Sequence, residues 1–428
     1  MIERLKGIAR TALPYAVITG LTLAILDVML IVTGLFPPTA NPGDPDLGWR
    51  PAAATGAMFV DRCTDLESGE IVSYSRNDRG VRSGLSSDEI LAYEDGPVIA
   101  ESGDSHSDLC AENARTHFGF TERFLVESGV DALMVAYPSG RYSPLQAYLA
   151  YELVLAPYGP QAFILNWYTG NDFNDLLRTD DRPFLARGDG GYEVADPIWY
   201  RFDDPEDRPT SRVLNLASLM LERTGVANAW YRVRFLHSMA SERGQGLATV
   251  AGYLNDIRKS AEPSVGYPEA FAAQMLNQYL FFRRFEGARE ESLARAEAVL
   301  EIVRREHPDL LLFLGPIPSY LLAYGTQPDS VLVRTMERIG APLEDAVAQE
   351  EELYRWLEAA ARRHGWVFVD HLETLRAWND EGRLYNTFDY HITPIASEII
   401  GRNQSLALLE SGIASDSARW QPSKSSSR

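Results

Sequence analysis

Four short stretches of this 428-residue chain carry residue types suited to acyl transfer. Gly103-Asp104-Ser105-His106 offers a hydroxyl where a tight turn would expose it, and a serine is a weak nucleophile until a base takes its proton. Pro138-Ser139-Gly140 offers a backbone N–H that can approach a reacting oxygen closely because no Cβ stands in the way. Gly170-Asn171-Asp172 offers a carboxamide, which donates a hydrogen bond to an oxyanion without adding charge. Phe388-Asp389-Tyr390-His391 offers an imidazole and a carboxylate whose spacing, on extended backbone, puts both on one side. Thr393 is placed to cap a helix opening at Pro394, which would anchor His391 at a rigid junction. The expected roles are Ser105 as nucleophile, His391 as base and Asp389 as the group that sets its tautomer. The N–H groups of Ser105 and Gly140 with the Asn171 amide would form the oxyanion hole. Asp104, Gly170 and Asp172 support these turns, and Asp104 is expected to hold its turn by backbone hydrogen bonds rather than to move protons.

Positioning such groups requires strands that end together. Apolar runs at 97–100, 132–136 and 162–167 precede the first three stretches, and further strand patterns fall at 309–314 and 366–370. Helical patterns lie between them at about 111–128, 144–155, 343–363 and 394–410. The alternation predicts an α/β fold, a three-layer parallel sheet flanked by helices, with its ligand crevice outside the carboxyl ends of the strands. Between about 180 and 306 the rhythm stops. Residues 187–192 read as a turn, and amphipathic segments at 212–223 and 269–285 suggest a helical insertion.

Composition narrows the partners. With 40 Lys+Arg against 60 Asp+Glu the net charge is -20, which repels phosphate backbones, so no nucleic-acid partner is expected. Residues 13–36 are apolar apart from Thr, Gly and Asp27. As a helix they would be roughly 36 Å long, enough to cross a bilayer. Basic Arg4, Lys6 and Arg10 before it predict a cytoplasmic N-terminus at 1–12 and an extracytoplasmic remainder. A cleaved signal peptide is the rival reading, disfavoured by the length of the run and the lack of a clean cleavage site. Asp27 reads either as a contact with another membrane subunit or as a residue near water or a local partner. After the span we expect a lead-in at 37–95, the main domain at 96–412 and a disordered Ser-rich tail at 413–428. In an oxidising compartment Cys63 and Cys110 either pair or stay apart; their spacing does not decide.

The constellation resembles the SGNH (GDSL) hydrolase superfamily, whose name-giving residues fall here on Ser105, Gly140, Asn171 and His391. The lead-in turn Asn77-Asp-Arg-Gly-Val-Arg82 is similar to the Asn-x-x-Gly-Phe-Arg of membrane-anchored bacterial members, and 138–146 to their Gly-Tyr-Gly-x-x-Gln stretch. Asp389-x-His391 is shorter than the common Asp-x-x-His, a spacing found in envelope-polysaccharide acetyl-transfer and esterase relatives. The resemblance implies a single-pass bacterial inner-membrane protein with a periplasmic esterase or acetyltransferase domain acting on O-acyl groups of a glycan. A lipid acyl hydrolase, and a non-catalytic scaffold subunit of a membrane complex, are the alternatives. No cofactor is implied. His106 either lines the substrate pocket or is a loop histidine satisfied by backbone. Asp370-His371 lacks the helix-opening Thr-Pro, and His117, His237, His307 and His364 have no ligand-like spacing, so no metal site is expected.

Overall fold

The computed structural model describes residues 43–44, 46–51, 58–64, 71–179, 182–188, 190–196, 247–260, 276–325, 330–378, 383–386 and 390–413. The expected span 13–36 with Asp27, the segment 212–223, Asp389 and nearly all of the tail lie outside the described residues. Among the described residues no helix is long and apolar enough to cross a membrane.

A hairpin of β1 (Met58–Thr64) and β2 (Ile71–Asn77) precedes the central sheet. The sheet is built from β3 (Val98–Ser102), β4 (Leu133–Ala136), β5 (Ala162–Tyr168), β8 (Leu311–Ile317) and β9 (Val367–Phe368). A second hairpin, β6 (Phe184–Gly188) with β7 (Gly191–Ala195), leaves the sheet after β5. The sheet order is β9-β8-β5-β3-β4, and every neighbouring pair is parallel. Every residue of β3, β4 and β5 is buried, which is why these strands read as continuous apolar runs rather than alternating ones. The order reverses between β3 and β5, the place where a doubly wound sheet opens a crevice at its carboxyl edge.

Helices cover both faces. On one, α2 (Pro144–Ala150), α3 (Ala288–Glu306) and α4 (Leu343–Arg363) bury Leu145, Val299, Val303, Leu353 and Leu357 against Ala100, Val135, Phe163, Leu165 and Leu314. On the other, α1 (His117–Glu127) and α5 (Pro394–Glu410) bury Phe118, Leu125 and Leu408 against Ile99, Met134, Ile164 and Phe313. The period of two along each strand divides the cores. Gly401 lets α1 and α5 meet, since a Cβ there would lie 2.6 Å from the His117 carbonyl and from Phe120 Cβ. Within 180–306 the described residues are not all helical: the β6–β7 hairpin stands beside helices Leu247–Ser260 and Asn277–Arg284, and α3 belongs to the sheet's own covering layer.

The lead-in is bound to the sheet. Asn77 closes its turn by accepting the N–H groups of Arg79 at 3.0 Å and Val81 at 3.1 Å, with Gly80 at φ 81°. Arg82, fully buried, bridges to Ala136 at the edge of β4 and donates to the carbonyls of Leu109 (2.9 Å) and Ala111 (2.6 Å) and to Asn113 Oδ1 (3.1 Å). Arg76 pairs with Asp108 at 2.6 Å. Cys63 and Cys110 form a disulfide, Cα atoms 5.7 Å apart, which settles the question the spacing left open.

Candidate active site

The turn after β3 is shaped by close packing. Ser102 Oγ donates to the Tyr137 carbonyl at 2.9 Å. At Gly103 a Cβ would sit 2.5 Å from Ser107 Oγ and 3.0 Å from Asn166 Cβ, so only glycine fits. Asp104 then organises a tight turn: its Oδ1 accepts the His106 N–H at 2.9 Å, and its carbonyl accepts Ser107 N–H at 3.1 Å and Asp108 N–H at 2.9 Å. Residues 103, 104, 106 and 107 are buried, while Ser105 between them keeps partial exposure. A hydroxyl is thereby presented on an otherwise sealed turn.

Gly140 faces this serine. Among the described residues Ser105 Cβ is the nearest atom to where a Gly140 Cβ would stand, at 3.9 Å. The chain reverses there with Arg141 at φ 70°, then enters α2 through a capping box in which Ser143 and Gln146 exchange bonds. Gln146 also donates to the Leu47 carbonyl at 2.6 Å, tying the helix start to the lead-in.

The third block follows β5. A Cβ on Gly170 would lie 2.6–2.7 Å from the Tyr168 ring, so glycine is again obligatory. Asp172 Oδ2 accepts the Tyr168 N–H at 2.7 Å. Asn171, half-buried, donates from Nδ2 to Asp175 Oδ2 at 3.1 Å, and its Oδ1 is buried without a partner. The amide proposed for an oxyanion thus has one N–H committed to a carboxylate.

His391 arrives on a clamped loop. Its carbonyl accepts the Asn386 N–H at 2.9 Å, Tyr385 bridges to Ile392, and Thr393 N–H bonds the Leu384 carbonyl at 2.9 Å. Thr393 caps α5, accepting the Ala396 N–H at 3.4 Å. The loop is fixed to the end of β8 by Tyr385, whose hydroxyl bonds the Pro318 carbonyl at 2.6 Å, and by Tyr390, whose ring lies 4.7 Å from that of Tyr320. One expectation fails here. Tyr390 has φ 55°, so the backbone is left-handed rather than extended, and the period-two argument for Asp389 and His391 does not hold.

The His391 ring stands 4.7 Å from that of His106, tilted by 34°. His106 in turn stacks on Tyr168 at 3.6 Å and 16°. His391 is therefore brought to the residue adjacent to Ser105. His106 is packed in the interior, 2% exposed, and its Nδ1 has no hydrogen-bond partner, so the reading of a ring nitrogen satisfied by backbone is not met at that atom.

Burial dominates the electrostatics. It raises the Asp104 carboxyl to about 6, against the opposing pull of the His106 N–H and of His391, with Asp175 adding to the rise. It holds Asp172 well above the carboxylate range, reinforced by Asp104 and Asp175. Burial also pushes His106 well below the usual imidazole value, helped by repulsion from His391 and His117. Burial thus keeps His106 neutral beside carboxyl groups whose ionisation it also disfavours.

Beneath the turn lies a polar layer absent from the sequence reading. Asn166 donates to Glu101 Oε1 at 2.9 Å and Ser107 Oγ at 3.2 Å, and accepts from Gln404 at 3.0 Å. His117 Nδ1 lies 2.7 Å from Glu101 Oε1, both side chains buried. His371 completes the layer: a Cβ on Gly315 would stand 2.9 Å from Asn166 Oδ1 and 3.3 Å from His371 Nε2. Burial lowers His371 to about 3, so it remains a neutral interior residue. The signal for this layer was available as single polar letters, Glu101 and Asn166, inside apolar strand runs. Among the described residues no group of three or more His, Cys, Asp or Glu is arranged to hold a metal ion.

No protein-family model and no curated protein matches the chain. Solved structures share parts of its arrangement at low similarity. A mutant of the acetylxylan esterase of Geobacillus stearothermophilus aligns with TM-score 0.36 and 9% identity, over 74% of this chain and 95% of that one. A lipase/acylhydrolase from Enterococcus faecalis aligns with TM-score 0.32 and 9% identity, over 77% of this chain and 100% of that one. An α/β hydrolase from the metagenome of Lake Arreo aligns with TM-score 0.31 and 10% identity, over 74% and 97%.

Proposed function

We propose that this protein is a serine ester hydrolase or O-acyl transferase of SGNH type. The observation that carries the reading is the convergence at one sheet edge: Ser105 on its glycine-shaped turn, Gly140 facing it, and the His391 ring against the neighbouring His106. These groups come from chain positions far apart and meet where the strand order reverses.

In the proposed reaction His391 takes the Ser105 proton as Oγ attacks the ester carbonyl. The tetrahedral oxyanion is held by the N–H groups of Ser105 and Gly140, with the Asn171 amide as third donor; losing one such donor typically costs about 3–4 kcal/mol of barrier. His391 then returns the proton to the departing alcohol, leaving an acyl-Ser105. Water or an acceptor hydroxyl, deprotonated by His391, releases the acyl group. Asp389 is assigned to orient His391, and the buried Asp104 interacts electrostatically with His391.

Small acyl esters, acetyl groups on an envelope or extracellular glycan, are the proposed substrates, on the resemblance of the sequence blocks. We place the domain outside the cytoplasm, tethered to the bacterial inner membrane by 13–36. The Cys63–Cys110 disulfide supports an oxidising compartment, where such bonds persist. The test is labelling by a serine-directed phosphonate followed by hydrolysis of esters of increasing acyl length. Wild type should label and prefer acetyl. Ser105→Ala should neither label nor turn over, and a Ser105→Ala protein as active as wild type would eliminate the mechanism.

A further inference from the structure

The residue that follows the nucleophile is an aromatic shelf for the base. His106 has two ring neighbours, Tyr168 stacked on it at 3.6 Å and His391 tilted against it at 4.7 Å. It is 2% exposed, its backbone N–H is spent on Asp104, and its Nδ1 is buried with no hydrogen-bond partner. An orphaned ring nitrogen in the interior carries a desolvation cost that an apolar side chain would avoid. Among the described residues the ring neighbours of His106 are Tyr168 and His391, the latter the proposed base.

We infer that His106 is a positioning residue for His391, its neutral ring face holding the base in place and stabilising the imidazolium that forms when Ser105 gives up its proton. A cation over an aromatic face within about 6 Å of the centroid is attracted by the ring quadrupole, and most strongly where water is excluded. The 4.7 Å separation lies within that reach, with His106 buried and His391 half-buried. The shelf works only while His106 is itself uncharged, and burial together with the repulsion of His391 and His117 keeps it so. Tyr168 supports the shelf from below and is fixed there by its N–H bond to Asp172. The titratable groups around the pair are Asp104 on the same turn, His117 of α1, Tyr168 of β5, and Asp172 and Asp175 behind Asp104.

The inference rests on the esterase reading, and three variants separate the two. His106→Phe keeps a flat π face and should retain kcat within about threefold of wild type. His106→Leu fills similar space without that face. Its kcat on an acetyl ester should fall about 30-fold, equivalent to about 2 kcal/mol, with KM little changed. The acid limb of its kcat profile should move to lower pH, because the imidazolium has lost a stabilising neighbour. A merely structural role would lower thermal stability in both variants and leave the acid limb in place. Wild-type kcat and pH profile in His106→Leu would overturn the inference, as would a His106→Phe protein as slow as His106→Leu, which would mean His106 acts through its nitrogens. Ser105→Ala is measured alongside. If it is inactive while His106→Leu is normal, only the shelf falls; if it is fully active, the esterase reading falls first.

Discussion

Gly103→Ala tests how tightly the nucleophile turn is held. The added Cβ would stand 2.5 Å from Ser107 Oγ, 3.2 Å from Ser107 Cβ and 3.0 Å from Asn166 Cβ, where ordinary contact begins at 3.4 Å. The neighbours cannot easily retreat. Asn166 is bonded to Glu101, Ser107 and Gln404, and the Ser107 N–H is tied to the Asp104 carbonyl. The turn itself must then move by up to about 0.9 Å. Overpacking of this kind costs about 1–3 kcal/mol of stability. A displacement near 1 Å at the reacting group costs about 10²-fold in rate. Ser107→Ala removes the worst clash while leaving the two carbon contacts. Alone it should cost about 1 kcal/mol, since Asn166 keeps its bond to Glu101 at 2.9 Å. Combined with Gly103→Ala it should restore about tenfold of the lost rate. The assay is kcat on an acetyl ester for the four proteins of this cycle, with thermal unfolding and phosphonate labelling run in parallel. Wild-type turnover in Gly103→Ala would refute the packing argument. So would strictly additive effects, because neighbours in contact must couple.

Further outcomes follow from the interior and the lead-in. Replacing both Cys63 and Cys110 by Ala frees a loop of sequence separation 47 and should lower stability by about 4 kcal/mol; a urea midpoint equal to that of the oxidised parent would contradict this. The same double variant should also lose turnover, since Cys110 lies just beyond the nucleophile turn. Glu350 is buried beneath Ser319, and burial raises its carboxyl to about 8 despite that hydroxyl's bond. Its folded value exceeds the unfolded one, so its contribution is full below about pH 4.5 and is lost as pH rises to about 8, a change of at most about 5 kcal/mol. Glu350→Gln should flatten stability across that window and exceed the parent at pH 8.5. A variant with the parent's pH dependence would show that Glu350 is not the titrating group.

The sheet was legible because buried parallel strands leave long apolar runs, and 343–363 and 394–410 match α4 and α5 residue for residue. Helix α5 announced itself by Thr393-Pro394, a cap and first turn that need no tertiary help. The four polar blocks stood out for a related reason, since each follows a strand or precedes a capped helix. What stayed hidden depends on long-range contact. That Cys63 meets Cys110, or that Arg82 threads beneath 109–113, follows from how the lead-in folds back on β4. The stacking of His106 on Tyr168 joins a turn to the end of β5, which no local pattern relates. The left-handed Tyr390 is invisible to propensity because a buried aromatic cluster imposes it. The hairpin 184–195 reverses within the stretch 187–192 that reads as a turn, with Gly188 and Gly191 at its tip, whereas its two strands carry no such local signal.

The grip of β1, β2 and Arg82 on residues 108–113 bears on where a recombinant enzyme can begin. A fragment started at Val98 would contain every strand of the sheet and every proposed reactive residue. It would nonetheless bare the edge of β4, strand the Asp108 carboxylate and leave the segment after the serine without its brace. The preparation to make retains Met58 onward. In this molecule the upstream hairpin is part of the folded domain, and excising it as a linker would remove the ties that hold residues 108–113, next along the chain from Ser105.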